Sequence, residues 1–433
     1  MFKPGFLAIV VSLCVLAPGI TRASPSTRPS SSGAGPTALD PSARINLSWF
    51  EDAVQSDPAV AYDDIAHHHL VVWSSEPPGG NRRLFLAHVR ENGDVAKHFV
   101  LPGPHDRSEP AIAFDPVARR YLVTWAEDVS DDGSNWDIHG VFVDPFFAQP
   151  ELGEAFAINS FPTIQSDPRV VYAEGLGEFF VLWTNSYVDG TLPDYLSGRR
   201  IRSDGSFPSS RVDLTLAEAG AYRLHPDLAY DPEQTQYLVV WEEVGSDRDI
   251  MAQRLTHTGS PIASPFGVAA WPGSEERPAV AFCQAGASYL VTWQALQPGA
   301  NYDLYARTVS AAGEPGRAGE VHAVPHARET DPDVACAKDG RSFIVSWTQQ
   351  YAGLFGPTGI WAQEVGPDLA LGWPLVLATP HAGASKGHGR PSIVPARRGF
   401  FAAWEHELGA NEGHAVYGRL LQRPMLALPW LRR

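Results

Sequence analysis

Residues 226–241 read PDLAYDPEQTQYLVVW, and residues 110–125 read PAIAFDPVARRYLVTW. Both begin at a proline, alternate small with large residues, turn at a polar stretch and end on an apolar run closed by tryptophan. Alternation of period two marks a strand with one face buried. The run that is apolar throughout marks a strand covered on both faces. The same unit starts at Pro58, Pro110, Pro168, Pro226, Pro278, Pro332 and Pro391 and ends at Trp73, Trp125, Trp183, Trp241, Trp293, Trp347 and Trp404. Six copies separate proline from tryptophan by 15 residues and the last by 13. Successive tryptophans lie 52, 58, 58, 52, 54 and 57 residues apart, which identifies a repeated structural unit.

Two further strands complete each unit. The third carries a small residue at its centre in every copy: Ala87, Gly140, Gly198, Ala252, Ala306, Ala362 and Gly418. Asn92-Gly93 and Asp204-Gly205 are two-residue hairpin signals leading to a shorter fourth strand. Four antiparallel strands in 50–60 residues, seven times over, predict an all-β fold, a seven-bladed β-propeller. Ring closure calls for one blade built from both chain ends. Ile45–Trp49 precedes Pro58 much as Gly267–Trp271 precedes Pro278, so residues 45–49 are expected to supply the outer strand of the blade begun by Pro391. The repeat tryptophans, each beside a small residue of the next strand, are expected to pack the core rather than to bind ligand.

Outside residues 45–421 the chain changes character. Residues 1–23 combine Lys3, an apolar run from Phe6 to Leu16 and small residues at Thr21 and Ala23, the pattern of a cleaved secretory signal. Residues 24–44 are rich in Ser, Pro and Gly and read as a tether, and residues 422–433 as a tail. The formal net charge is −16, which argues against a nucleic-acid partner. No later stretch has the length for a membrane span. The exported protein is expected outside the cytoplasm, secreted, periplasmic or at the cell surface, and monomeric. Cys283 and Cys336 occupy equivalent strands of neighbouring repeats, five and four residues after their prolines. That offset turns them to opposite faces of their strands; an oxidising compartment would allow a disulfide, but two buried free thiols are the reading preferred.

The repeat as a whole, DPxVAYD…YLVxW…DIxxR over residues 45–421, resembles that of secreted bacterial β-propeller proteins. The resemblance implies fold and export and carries no catalytic residue. The aspartate box of sialidases, SxDxGxxW, is one residue longer than Ser130–Trp136 (SDDGSNW) and occupies a different turn, and no clustered arginines stand out; that likeness is set aside. Gly383–Gly387 matches GxSxG but lies in a Gly-rich connection rather than between a strand and a helix. His67, His68 and His69 alternate faces on a strand and cannot share one ion; a solvated hairpin is expected.

Candidate binding residues gather on one side of the ring, where each first strand starts and each second strand ends. The residues before the repeat prolines are Asp57, Glu109, Asp167, His225, Arg277, Asp331 and Arg390. Together with Trp136 in a neighbouring loop, they form the candidate ligand site. Asp128, Asp131, Asp132 and Asp137 surround a glycine turn and could enclose Ca²⁺; no other cofactor is indicated. The loops on that side sum to −13 and the opposite hairpins to −2. Such a field favours a cationic peptide, Ca²⁺ or a neutral sugar. The expected function is therefore a non-catalytic binding or scaffold propeller recognising a glycan, cationic peptide or protein. The alternative is a secreted glycan-active hydrolase or lyase using paired carboxylates.

Overall fold

The computed structural model describes residues 40–48, 53–144, 151–187, 194–214, 222–297, 301–351, 356–379, 388–407 and 414–422. They are almost wholly β; one 3₁₀ turn, Gln284–Gly286, interrupts the strands. No helix among them is long and apolar enough to cross a membrane. Blades 1, 4, 5 and 6 are separate four-stranded antiparallel sheets. Blade 4 is representative: Tyr222–Asp231, Gln236–Val244, Arg248–Thr256 and Pro261–Ala269, each paired with the next. Blades 2 and 3 have the same order and are joined by one parallel bridge, Ile164 to Trp136.

The chain closes as expected. In blade 7, His414–Gln422 pairs with Gly399–Glu407 on one side and with the N-terminal segment on the other. Ile45 faces Gly418, and Leu47 N–H donates to the Val416 carbonyl at 2.8 Å. The pairing begins earlier than composition suggested: Asp40–Pro41 lies against Leu421–Gln422, and Ser42 N–H donates to Leu420 O at 2.8 Å. A proline is tolerated there because the outermost strand needs no donor on its outer side.

Seven apolar clusters fill the ring, one between each pair of successive blades, including one between blades 7 and 1 that holds Leu47, Val60, Trp73, Phe401 and Val416. The repeat tryptophans are at most 1% exposed and each packs toward the preceding blade, which confirms their core role. The small residue of the third strand serves a different neighbour from the one expected. A Cβ on Gly198 would lie 2.4 Å from the Phe180 ring, and one on Gly418 2.6 Å from the Phe401 ring. Those rings stand three residues before Trp183 and Trp404.

Cys283 and Cys336 form a disulfide, with Cα atoms 5.4 Å apart, and are not free thiols. Blades of a propeller stack face to face, so the trailing face of blade 5 meets the leading face of blade 6. Opposite faces of equivalent strands are what such a bridge requires. The offset that argued against pairing therefore permits it.

Candidate active site

Each first strand breaks its ladder at the repeat proline. Pairing with the second strand skips between Ser56 and Ala59, Ser166 and Arg169, Thr330 and Asp333, and at the equivalent places of the other four blades. Proline lacks the N–H the ladder needs, and two residues bulge toward the axis. The residue before the proline takes a left-handed backbone in all seven blades, with φ between 43° and 54°. None is glycine, so each costs about 1 kcal/mol or more, a strain typical of functional sites.

In four blades the N–H freed by the bulge is held by a side chain of the preceding blade. Asp57 N–H donates to Glu405 Oε1 at 2.8 Å, Arg277 N–H to Glu242 Oε2 at 3.3 Å and Asp331 N–H to Gln294 Oε1 at 2.9 Å. These acceptors directly follow the tryptophans of their blades. In blade 2 that place is Ala126, and Glu109 acts instead: Asp167 N–H donates to its Oε2 at 2.7 Å.

The seven bulge residues line one cavity of about 540 Å³ at the channel mouth. The structure thus brings together Asp57, Glu109, Asp167, Arg277, Asp331 and Arg390 as expected, with His225 among them. It adds a second row that sequence reading missed: Arg169, Asp227 and Asp333, one residue after their prolines. Their signal was present as departures from the repeat, since the same position is Ala59, Ala111, Ala279 and Ser392 elsewhere. Trp136 is not in this ring. It opens the third strand of blade 2, half-buried against the apolar cluster between blades 2 and 3.

Charges at the mouth are largely matched. Arg277 Nε lies 3.4 Å from Asp331 Oδ1, Arg390 pairs with Asp57, and Arg169 Nε stands 4.0 Å from Asp227 Oδ1. The clustered arginines not evident in sequence are therefore here, each facing a carboxylate. Three carboxyls are pushed well above the usual range. Burial, reinforced by the charge of Asp167, raises Glu109 to about 7. Enclosure by protein raises Asp227 to about 6 and Asp333 to about 7, although Asp227 still reaches the channel water with 21% of its side chain. Asp333 accepts Ile393 N–H at 2.7 Å and Val334 N–H at 2.9 Å, and Asp227 accepts Val280 N–H at 2.7 Å, so both clamp a neighbouring blade.

The acidic loop of blade 2 is arranged differently. Asp128 accepts Ser130 Oγ–H at 2.7 Å and Gly133 N–H at 2.7 Å, Asp132 accepts Ser134 N–H at 2.9 Å, and Asp137 accepts Ser160 Oγ–H at 2.8 Å. Asp131 meets His105 Nδ1 at 2.7 Å. Asp128 and Asp132 serve the loop's own donors, Asp131 and Asp137 serve His105 and Ser160 beside it, and among the described residues no group of three His, Cys, Asp or Glu is placed to hold a metal ion. The histidine triplet also departs from a solvated hairpin: His69 is fully buried, stacked on Phe401 with ring centroids 4.5 Å apart. Gly383–Gly387 and Trp49 lie outside the described residues.

No family model matches the chain, and no curated protein matches it. Solved structures share its fold. A mutant Trypanosoma rangeli sialidase displaying trans-sialidase activity is 9% identical, with a TM-score of 0.51 over 89% of this chain and 60% of its own. An alpha-L-arabinofuranosidase from Fusarium graminearum, in complex with an iminosugar inhibitor, is 12% identical, with a TM-score of 0.51 over 75% of this chain and 98% of its own. The Hadza microbial sialidase is 9% identical, with a TM-score of 0.50 over 85% of this chain and 66% of its own. The chain spans 55% to 60% of the length of the Trypanosoma rangeli sialidases it matches. At these identities the likeness establishes the β-propeller fold. It also corrects the expectation of a non-catalytic binding or scaffold module: the three structures named are glycosidases, in line with the alternative of a glycan-active enzyme.

Proposed function

We propose that the chain is an exported glycan-active hydrolase working at the channel mouth through paired carboxyls. Glycoside hydrolysis needs one carboxyl that carries a proton and one that carries charge, on either side of the scissile bond. Environments that drive two carboxyls apart in acidity mark the pair. Glu109 is the raised carboxyl here, and the charge of Asp167 on the adjacent blade helps to keep its proton in place. We assign Glu109 as proton donor and Asp167 as its charged partner. Asp333 is equally raised, yet its two backbone hydrogen bonds give it a structural part, whereas Glu109 accepts one such bond. This raised carboxyl beside an acid in a strained ring is the observation that carries the reading.

Arg169, Arg277 and Arg390 already face carboxylates, which favours a neutral glycan over a carboxylated one. The signal read in residues 1–23 and the disulfide both fit export to an oxidising compartment. The test is hydrolysis of a panel of neutral aryl glycosides and polysaccharides by the purified mature chain. Glu109→Gln and Asp167→Asn should each lower kcat/KM by about 100-fold or more, while Asp128→Asn in the blade 2 loop leaves it unchanged. The rate should fall as pH rises past about 7, where Glu109 loses its proton. Cleavage untouched by either variant would overturn the assignment.

A further inference from the structure

The channel has a second chamber. A cavity of about 730 Å³ opens at the opposite mouth, lined by the first strands of all seven blades. The residue two after each repeat proline, from Val60 to Ile393, is aliphatic in every blade, is at most 9% exposed and borders both cavities. This aliphatic waist separates the charged mouth from the chamber below. Four residues after the proline the wall turns aromatic in five blades: Tyr62, Phe114, Tyr172, Tyr230 and Phe282. Asp64, Glu174 and Asp339 lie on the same lining, against one cation, Lys338.

An ammonium already sits at this rim. Lys338 of blade 6 reaches past the shortened hairpin of blade 7 to blade 1. Its Nζ stands 5.3 Å from the centroid of the Tyr62 ring and 3.2 Å from Asp64 Oδ2. Both partners of that ion pair are more than 40% exposed, so the contact is weak and readily exchanged. Aromatic faces attract cations through their quadrupole, the more so in an enclosed site, and flanking carboxylates add to the attraction.

We propose that this aromatic chamber is a binding site for an organic ammonium group, with Lys338 as the internal cation that the ligand displaces. The site is independent of the hydrolase reading, because the waist lies between the two.

Calorimetric titration of the mature chain with choline, against its uncharged isostere 3,3-dimethyl-1-butanol, tests the chemistry. Choline should bind about tenfold tighter or more. Tyr230→Leu should weaken it, and Lys338→Ala, a surface change that leaves the fold intact, should strengthen it. Glu109→Gln at the other mouth should leave choline binding unchanged. Titration with Nα-acetyl-lysine amide separates the sources: tighter binding than choline points to a side chain on a peptide, weaker binding to a free quaternary amine. Equal affinity for choline and its isostere, or loss of binding on Lys338→Ala, would overturn the proposal.

Discussion

His69 shows how one residue can make the whole propeller sensitive to acid. It stands where other blades place Tyr or Phe, on the buried face of a second strand, between the Tyr62 and Phe401 rings. Neither ring nitrogen has a hydrogen-bond partner. Burial, with His68 and His88 nearby, lowers its pKa from 6.5 to about 3. The folded state therefore keeps His69 neutral while the unfolded chain takes up a proton below pH 6.5. Stability must fall as pH drops from 6.5 toward 3, by up to about 1.4 kcal/mol per pH unit for this group. His69→Phe restores the aromatic residue of the other blades and should flatten that slope by one proton. Urea unfolding at pH 7, 5.5 and 4.5 measures it; an unchanged slope would mean that His69 titrates equally in both states.

Within a blade, the second and third strands fit each other by pairwise choice of size. Five blades place Leu or Ile three residues before the tryptophan, and blades 3 and 7 place Phe180 and Phe401. Those two blades have glycine in the third strand, Gly198 and Gly418, where four of the others have alanine. A Cβ at Gly198 would meet the Phe180 ring, so Gly198→Ala should cost about 1–3 kcal/mol. Adding Phe180→Leu recreates the Leu–Ala pairing of other blades and should recover part of that loss. A double mutant no better than the sum of the singles would show that the two positions are not coupled. This scale also shows where the sequence was readable. Strand periodicity and the tryptophan spacing depend on residue type at fixed intervals, and both survive in every copy. The left-handed bulge did not show, because Asp and His, which tolerate positive φ, share that place with Glu and Arg, which do not favour it, so the set gives no consistent signature. Asp227 and Asp333 stayed hidden because they occupy a position that most copies fill with Ala or Ser.

At the scale of the whole molecule, seven sheets become one body only if the ring has no open edge. The first blade is covered by the seventh, and the seventh is completed by the N-terminal segment. That segment does three jobs in nine residues. Ile45 and Asn46 pair with Gly418 and Tyr417, Leu47 enters the cluster between blades 7 and 1 at 0% exposure, and the Leu47 carbonyl bonds His98 Nε2 of blade 1 at 2.8 Å. The closing strand thus joins the first blade to the last by hydrogen bonds and by apolar contact. Losing it would bare the His414–Gln422 edge, a template for association with other chains. Two truncations of the mature chain separate this role from that of the preceding segment. Removal through residue 38 spares every pairing residue and should leave the melting temperature unchanged. Removal through residue 48 takes away Leu47 and the whole closing ladder; the unfolding midpoint should drop sharply and the protein should self-associate in sedimentation. A synthetic peptide of residues 39–48 should restore the midpoint of the longer truncation by filling the vacant edge. Equal stability of the two truncations would show that blade 7 holds the ring with three strands alone.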